Sequence, residues 1–139
     1  LNMVEETIAA AVNERHLWPD QFLRHLMKVI GAIGRHGRAV IVGRGANFAL
    51  PADANLRIRV IASLGRRVQN LSKKHQISYD EAQKLVLKTD ADRRSFTRKY
   101  FYADMSDPLH YDLIINTDRL DMRTAVQTVK SALQGIKNP

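Results

Sequence analysis

The chain has 139 residues, of which 45% are hydrophobic and 26% charged, so it can bury one core and is expected to form a single domain over residues 1–139. Its 22 basic and 14 acidic side chains give a net charge of +8, which favours anionic ligands such as nucleotides, nucleic acid or acidic lipid. The absence of cysteine excludes disulfides and thiolate metal sites, and no apolar run reaches the ~20 residues that span a membrane. Because the first ten residues also lack the pattern of a signal peptide, we expect a cytoplasmic protein.

The first part of the chain predicts two helices and one buried strand. Apolar residues at helical spacing predict a first helix within residues 2–18, and a second helix is expected to begin at Pro19 and end near Gly34. The uninterrupted apolar stretch inside residues 38–43 predicts a strand that is covered on both faces, as in a parallel sheet.

The second part predicts two further strands and three helices. Apolar residues alternate with arginines in residues 55–62, which indicates a strand, and Ser63 is placed to cap the helix that follows. Residues 78–81 have the Ser-x-x-Glu spacing of a capping box, so another helix begins there. Residues 112–117 predict a third strand, with a continuous apolar run at its centre, and a closing helix begins at Asp121. This alternation predicts an α/β fold with a parallel sheet.

The exit of the first strand carries a short glycine-rich segment. In open parallel sheets, ligands bind where the carboxyl ends of the strands meet. Gly43 and Gly45 allow a close approach of the backbone to a ligand, and the guanidinium group of Arg44 between them suits a phosphate. A tight turn with a solvated arginine explains the same three residues.

A stretch rich in arginine precedes the third strand. Its acidic residues and arginines are Asp90, Asp92, Arg93, Arg94 and Arg98. If residues 89–100 are helical, Asp90, Arg94 and Arg98 follow one face at i, i+4 and i+8, and the acidic side chains can hold the guanidinium groups in register. Phosphoryl transfer needs such a cationic clamp, because charge spreads over three oxygens of the transferred group. The alternative is a helix with ordinary surface ion pairs.

Other catalytic patterns are missing from the sequence. The five histidines have no metal-ligand spacing, and neither a Gly-x-Ser-x-Gly elbow nor a His-Glu-x-x-His motif occurs. We therefore predict no metal site built from protein side chains.

Two segments, "AVIVGRGANFALPADANLRIRVIAS" and "DADRRSFTRKYFYADMSDPLHYDLIINTDRL", resemble the cytidylate kinase-like branch of the nucleoside monophosphate kinases. The resemblance covers about residues 35–133. It implies a three-layer P-loop kinase fold of the P-loop NTPase superfamily, with a parallel sheet and an arginine-rich helical lid at about residues 63–105. It also implies ATP with Mg²⁺ as phosphoryl donor, and CMP, dCMP or a related nucleotide as acceptor.

The resemblance assigns roles to individual residues. Arg44, beside Gly43, would meet the acceptor phosphate, and Lys88 and Asp92 would contact the acceptor nucleotide. Arg67 is a weaker match, at the start of the lid arm, where a lid contact is expected. The catalytic clamp of the lid would consist of Arg93, Arg94 and Arg98.

Two departures from this family stand out. Cytidylate kinases have Gly-Arg-Asp where this chain has Gly45 as the third residue, which leaves the acceptor nucleotide open. The chain also contains no Gly-x-x-x-x-Gly-Lys-Ser/Thr loop to hold the donor phosphates. Since the chain opens on Leu1, we expect the C-terminal portion of a phosphotransferase without its N-terminal P-loop unit, inactive by itself. A relative that has lost catalysis is the alternative.

The missing unit leads to a prediction about partners. In the fold that the sequence resembles, the strand before the P-loop lies between residues 38–43 and residues 55–62. Without it, we expect these strands to pair directly or, preferably, a homodimer that buries residues 39–42. A basic nucleic-acid-binding module and a catalytically silent nucleotide-binding protein are the alternative functions, and no membrane partner is expected.

Overall fold

The computed structural model describes residues 19–136, so the helix predicted within residues 2–18 lies outside the described part of the chain. The chain divides into two compact units, residues 1–51 and 52–139, and the single domain stays a prediction. In chain order the elements are α1 (Pro19–His36), α2 (Ala46–Ala49), β1 (Ile58–Ile61), α3 (Leu64–His75), α4 (Tyr79–Phe101), β2 (Leu113–Asn116) and α5 (Met122–Gly135). Short 3₁₀ helices lie at Ala52–Ala54 and Pro108–His110.

In the first unit, helix α1 buries one apolar stripe. Leu26 and Ile30, one turn apart, are 1% and 0% exposed, which confirms the helix that the sequence predicts from Pro19. Helix α2 packs against α1 where Gly34 faces Leu50. A Cβ at Gly34 would lie 2.7 Å from Leu50 Cδ2, so the glycine makes this close approach possible.

The strand predicted at residues 38–43 does not form. Its valines are almost fully exposed, Val40 at 83% and Val42 at 78%, although the apolar run predicted burial on both faces. The two residues before the apolar run, Gly37 and Arg38, have left-handed backbone. A strand needs a hydrogen-bonded neighbour, and within residues 19–136 no strand pairs with this segment.

In the second unit, β1 and β2 form a parallel pair, from Ile58 opposite Leu113 to Ile61 opposite Asn116. An ion pair joins the two residues that directly precede the strands. Arg57 donates from Nη2 to Asp112 Oδ1 at 2.9 Å and from its backbone N to Asp112 Oδ2 at 2.7 Å. The guanidinium hydrogen bond is the main reason why the pKa of Asp112 is lowered and that of Arg57 is raised.

The burial of the two strands differs from the prediction. Ile115 is 3% exposed, but Ile114 beside it is 38% exposed, so β2 is not covered on both faces. Val60 of β1 is 63% exposed, whereas its neighbour Arg59 is partly buried, the reverse of the predicted alternation. A two-stranded sheet has an edge on each strand, and helix α5 packs against β2.

Helices α3 and α4 form a hairpin, and each helix begins at its predicted N-cap residue. The Ser63 side chain accepts from the backbone N of Arg66, and Ser78 and Glu81 form the complete capping box. Val68 and Ala82 are fully buried between the two helices. The result is a helix α4 of 23 residues, about 34 Å long, anchored at its first half.

Helix α5 closes the second unit. Asp121 is its N-cap and accepts from the backbone N of Thr124 at 2.7 Å, as the sequence predicts. Within residues 19–136, no helix combines the length and the apolar character that a membrane crossing needs. The predicted α/β class with a parallel sheet and a long helical arm rich in arginine is confirmed.

Candidate functional site

The outward face of helix α4 carries an open depression of about 480 Å³. Its lining residues are Ala91, Arg94, Ser95, Arg98 and Lys99. They recur at intervals of three and four residues, which places them along one side of the helix. Two arginines and one lysine therefore border an open depression whose volume is within the range of small-ligand sites.

Arg94 and Arg98 are one turn apart, and neither has a salt-bridge partner in the described part of the chain. Arg93 is not among the lining residues. As the residue next to Arg94, it projects about 100° further round the helix. The structure thus brings together two of the three arginines in the predicted clamp.

Asp90 does not hold the arginines of its own helix, and this expectation from the sequence was wrong. Its carboxylate accepts two hydrogen bonds from Arg67 Nη1 on helix α3, both at 2.8 Å. Arg67 Nε also donates to the carbonyl oxygen of Ala62, just after β1, at 3.2 Å. Arg67 therefore connects the end of the strand to both helices of the hairpin, in a partly buried position.

Asp92 likewise contacts a residue outside the clamp. Its carboxylate accepts from Lys88 Nζ at 2.6 Å, across one turn of helix α4. Both side chains are largely exposed, at 73% for Lys88 and 63% for Asp92. Such pairs contribute little stability, so an incoming ligand can displace this contact at low cost.

Arg59 is a residue near the clamp that the sequence reasoning did not single out. Its guanidinium carbon lies 5.7 Å from the ring centre of Tyr111. Asp104 has a lowered pKa, mainly because its carboxylate accepts hydrogen bonds from the hydroxyl and backbone N of Ser106, and the charges of Arg98 and Arg59 lower it further. The only signal in the sequence was an arginine inside an apolar strand.

The Gly43–Gly45 segment belongs to the first unit. All three of its residues have left-handed backbone, with φ of 77° at Gly43, 55° at Arg44 and 69° at Gly45. Ala46 N donates to Gly43 O at 3.2 Å and closes the turn, and the side chain of Arg44 is exposed. The turn and the solvated arginine are both present, and φ above zero is uncommon for a residue with a side chain.

The acidic and histidine side chains do not form a cation site in the described part of the chain. Between residues 19 and 136, no three or more histidine, aspartate or glutamate side chains come together in a way that suits a metal ion. The described side chains therefore do not fit a magnesium ion by themselves.

An open depression on a helical arm, lined by two arginines without salt-bridge partners in the described residues, has the donor groups that suit polyanions such as phosphate chains. Comparison with known proteins shows which family the chain belongs to. The cytidylate kinase-like family matches residues 1–119, and the chain belongs to that family.

Curated relatives carry the name of the same enzyme. The cytidylate kinase of Methanocaldococcus jannaschii is 29% identical over 108 residues, which cover 76% of this chain and 61% of the relative. The cytidylate kinase of Methanothrix thermoacetophila is 29% identical over 107 residues, covering 76% of this chain and 60% of the relative. The chain therefore spans about 60% of the length of these relatives.

A solved structure supports the fold. An uncharacterized protein from Eubacterium ventriosum matches with a TM-score of 0.79 over 96% of this chain and 81% of its own, at 18% identity. At this identity the match shows the fold alone. The family match favours a nucleotide kinase and gives no support to the alternative of a nucleic-acid-binding module.

Proposed function

We propose that the full-length protein is a nucleoside monophosphate kinase that transfers the γ-phosphoryl group of ATP, with Mg²⁺, to CMP, dCMP or a related nucleotide. The observation that carries the proposal is the depression on helix α4, where Arg94 and Arg98 lie one turn apart without salt-bridge partners in the described residues. Family membership supports the reaction class.

The proposed chemistry is charge stabilisation by the lid. The transferred phosphoryl group carries its charge on three equatorial oxygens, and guanidinium groups that face it stabilise the transition state more than the ground state. We assign this role to Arg94 and Arg98, with Arg93 as a third cation of the lid. Arg67, held by Asp90, is assigned to the contact at the start of the lid arm.

Two sets of residues, one in each unit, are separately assigned to acceptor binding. In the first unit, the exposed guanidinium of Arg44 would bind the acceptor phosphate, and Gly43 would let the backbone approach it closely. On helix α4, Lys88 and Asp92 would exchange their mutual ion pair for contacts with the acceptor nucleotide.

The test is an assay of ADP release by the full-length protein with CMP, dCMP, UMP and AMP. We expect at least one of these acceptors to raise turnover above the ATPase background. Replacing Arg98 or Arg94 by alanine should lower kcat by about 10²- to 10³-fold, because a preorganised donor to the transition state is lost. Arg123→Ala removes an equal charge from an exposed site on helix α5 and should leave kcat unchanged. Equal losses in all three variants would contradict the proposed role of the clamp.

The 139-residue chain itself is proposed to be inactive, because it contains no Gly-x-x-x-x-Gly-Lys-Ser/Thr loop to hold the donor phosphates. Acceptor-dependent ADP release by this chain alone would overturn that assignment. We also propose a cytoplasmic location and a homodimer formed through residues 39–42, whose exposed valines support the second of these proposals.

A further inference from the structure

Tyr102, the residue that ends helix α4, holds its side chain in an unusual position. The ring is 92% exposed, the highest exposure of any aromatic side chain in the described residues, and it packs against no other ring among them. Its neighbour Tyr100, by contrast, packs edge to face against Phe96 and carries the ammonium group of Lys99 above its ring, 5.3 Å from the centre. Packing therefore accounts for Tyr100 and does not account for Tyr102.

The backbone of Tyr102 makes its presence costly. Tyr102 is the C-cap of helix α4 and has left-handed φ and ψ of 51° and 34°. Glycine adopts this conformation without penalty, whereas a side chain with a Cβ is strained there, and bulky residues rarely occupy it. A large exposed ring at a position that suits glycine offers the folded chain no gain in packing, which points to a use outside the fold.

The charged depression lies on the last turns of helix α4, directly before Tyr102 in the chain. Tyr102 N donates to the carbonyl oxygen of Arg98 at 3.2 Å, so Tyr102 follows Arg98 by one helical turn. One turn advances the helix axis by about 5.4 Å, a separation that a ribose can bridge. Arg98 and Lys99 border the depression at its Tyr102 end.

We infer that the Tyr102 ring is a stacking surface for the base of a nucleotide whose phosphates are bound by Arg94 and Arg98. Aromatic rings stack on any base through its π face, and the neighbouring cations bind the phosphate chain. The inference rests on the proposed function and adds to it the residue that recognises the base.

The experiment is calorimetric titration of the 139-residue chain and its variants with ATP, with CMP and with inorganic tripolyphosphate, which has no base. Tyr102→Gly should weaken the binding of ATP or CMP by at least about 5-fold, the lower range of a base-stacking contribution, and leave tripolyphosphate binding unchanged. The nucleotide affected identifies the donor or the acceptor as the stacked species. Tyr102→Phe keeps the ring and should bind within about 2-fold of the wild type, on the same stacking argument.

Gln76 provides a matched control. It is the C-cap of helix α3 and has the same left-handed conformation, with φ of 54° and ψ of 43°. Gln76→Gly and Tyr102→Gly should both raise the melting temperature by relieving backbone strain, but only Tyr102→Gly should weaken nucleotide binding.

The possible results separate this inference from the proposed function. If the wild-type chain binds ATP or CMP and Tyr102→Gly binds equally well, the stacking role is refuted and the proposed function stands. The stacking role also fails if Tyr102→Gly loses affinity for tripolyphosphate to the same extent, or if Tyr102→Phe binds as weakly as Tyr102→Gly. A wild-type chain that binds neither nucleotide would count against the inference, whereas the ADP-release assay of the full-length protein decides the proposed function.

Discussion

Asp90 shows how one carboxylate determines the position of a cation near the candidate site. The Arg67 guanidinium group donates two hydrogen bonds from Nη1 to Asp90 and one from Nε to Ala62 O, and Arg67 is not among the residues that line the depression on helix α4. Arg94 and Arg98 have no comparable partner in the residues that the structure describes. At the level of single residues, Arg67 is held by a carboxylate of the neighbouring helix, whereas Arg94 and Arg98 lack such a partner in the described residues.

Asp90→Asn should destabilise the hairpin by about 1–3 kcal/mol, because a partly buried guanidinium group loses a charged acceptor. The midpoint of urea unfolding measures this change. Asp92→Asn is the control, since it alters an exposed ion pair on the same helix and should cost less than about 1 kcal/mol. If the two variants unfold at the same midpoint, Arg67 and Asp90 do not hold the hairpin together.

The contrast between Asp90 and the arginines also shows what sequence periodicity can predict about the site. Spacing at i and i+4 correctly places Arg94 and Arg98 on one face, because it depends only on helix geometry. The partner of Asp90 lies 23 residues earlier on another helix, and no local pattern contains that contact. The same limit applies to Arg59, which the pairing of β1 with β2 brings near Asp104.

At the scale of elements, three helices begin at the capping residues that the sequence predicts. Ser63, Ser78 and Asp121 each cap a helix through hydrogen bonds to backbone N–H groups three residues away, so their sequence signals were sufficient. Strands carry no such local signal. The apolar run at residues 39–42 has the composition of a buried strand, but a strand forms only beside another strand, and the described chain supplies none to it.

Ser78→Ala tests the capping box. The variant loses the side-chain acceptor of Glu81 N and the hydroxyl that Glu81 Oε2 accepts from, so we expect a loss of about 1 kcal/mol in the free energy of unfolding. Ser131→Ala changes an exposed serine inside helix α5 and should be neutral or slightly stabilising, because alanine favours the helix interior. Urea titrations of both variants provide the comparison, and equal stabilities would show that the box contributes nothing.

At the scale of the whole molecule, several carboxylates make the fold sensitive to acid. The pKa is lowered for Glu81, Asp104, Asp112 and Asp121. The main cause is a hydrogen bond to the ionised carboxylate, from the Arg57 guanidinium at Asp112 and from nearby backbone or hydroxyl donors at the other three. The ionised forms therefore bind protons less readily in the folded state than in the unfolded state.

Stability should consequently be constant above the ordinary pKa values, 4.5 for glutamate and 3.8 for aspartate, and fall as the pH drops through the lowered values. Urea unfolding at a series of pH values from neutral to strongly acidic measures this dependence. Asp112→Asn should be less stable at neutral pH and show a shallower decline in acid. A decline of the same steepness in this variant would exclude Asp112 as a contributor.

The exposed valines predict self-association. Val40 and Val42 are almost fully exposed and two residues apart, so in a strand paired with a second copy their side chains would lie on the same side. Light scattering should show a mass that rises towards the dimer with protein concentration, and Val40→Ser with Val42→Ser should remain monomeric. Leu109→Ser with Leu133→Ser, which alters two other exposed apolar residues, should still associate. A strict monomer at all concentrations would refute the proposed dimer.

The parallel pair of β1 and β2 has a consequence for the order in which the second unit folds. Paired residues such as Ile58 and Leu113 are 55 positions apart in sequence, and Arg57 and Asp112 join the strands across the same separation. Closing so long a loop costs chain entropy, whereas the hairpin of α3 and α4 lies within the intervening segment and shortens it once formed. We therefore expect the hairpin to form before the folding barrier and the sheet after it.

In stopped-flow experiments, Val68→Ala should mainly slow folding, and Arg57→Ala should mainly accelerate unfolding. The opposite assignment of the two effects would mean that strand pairing organises the chain first.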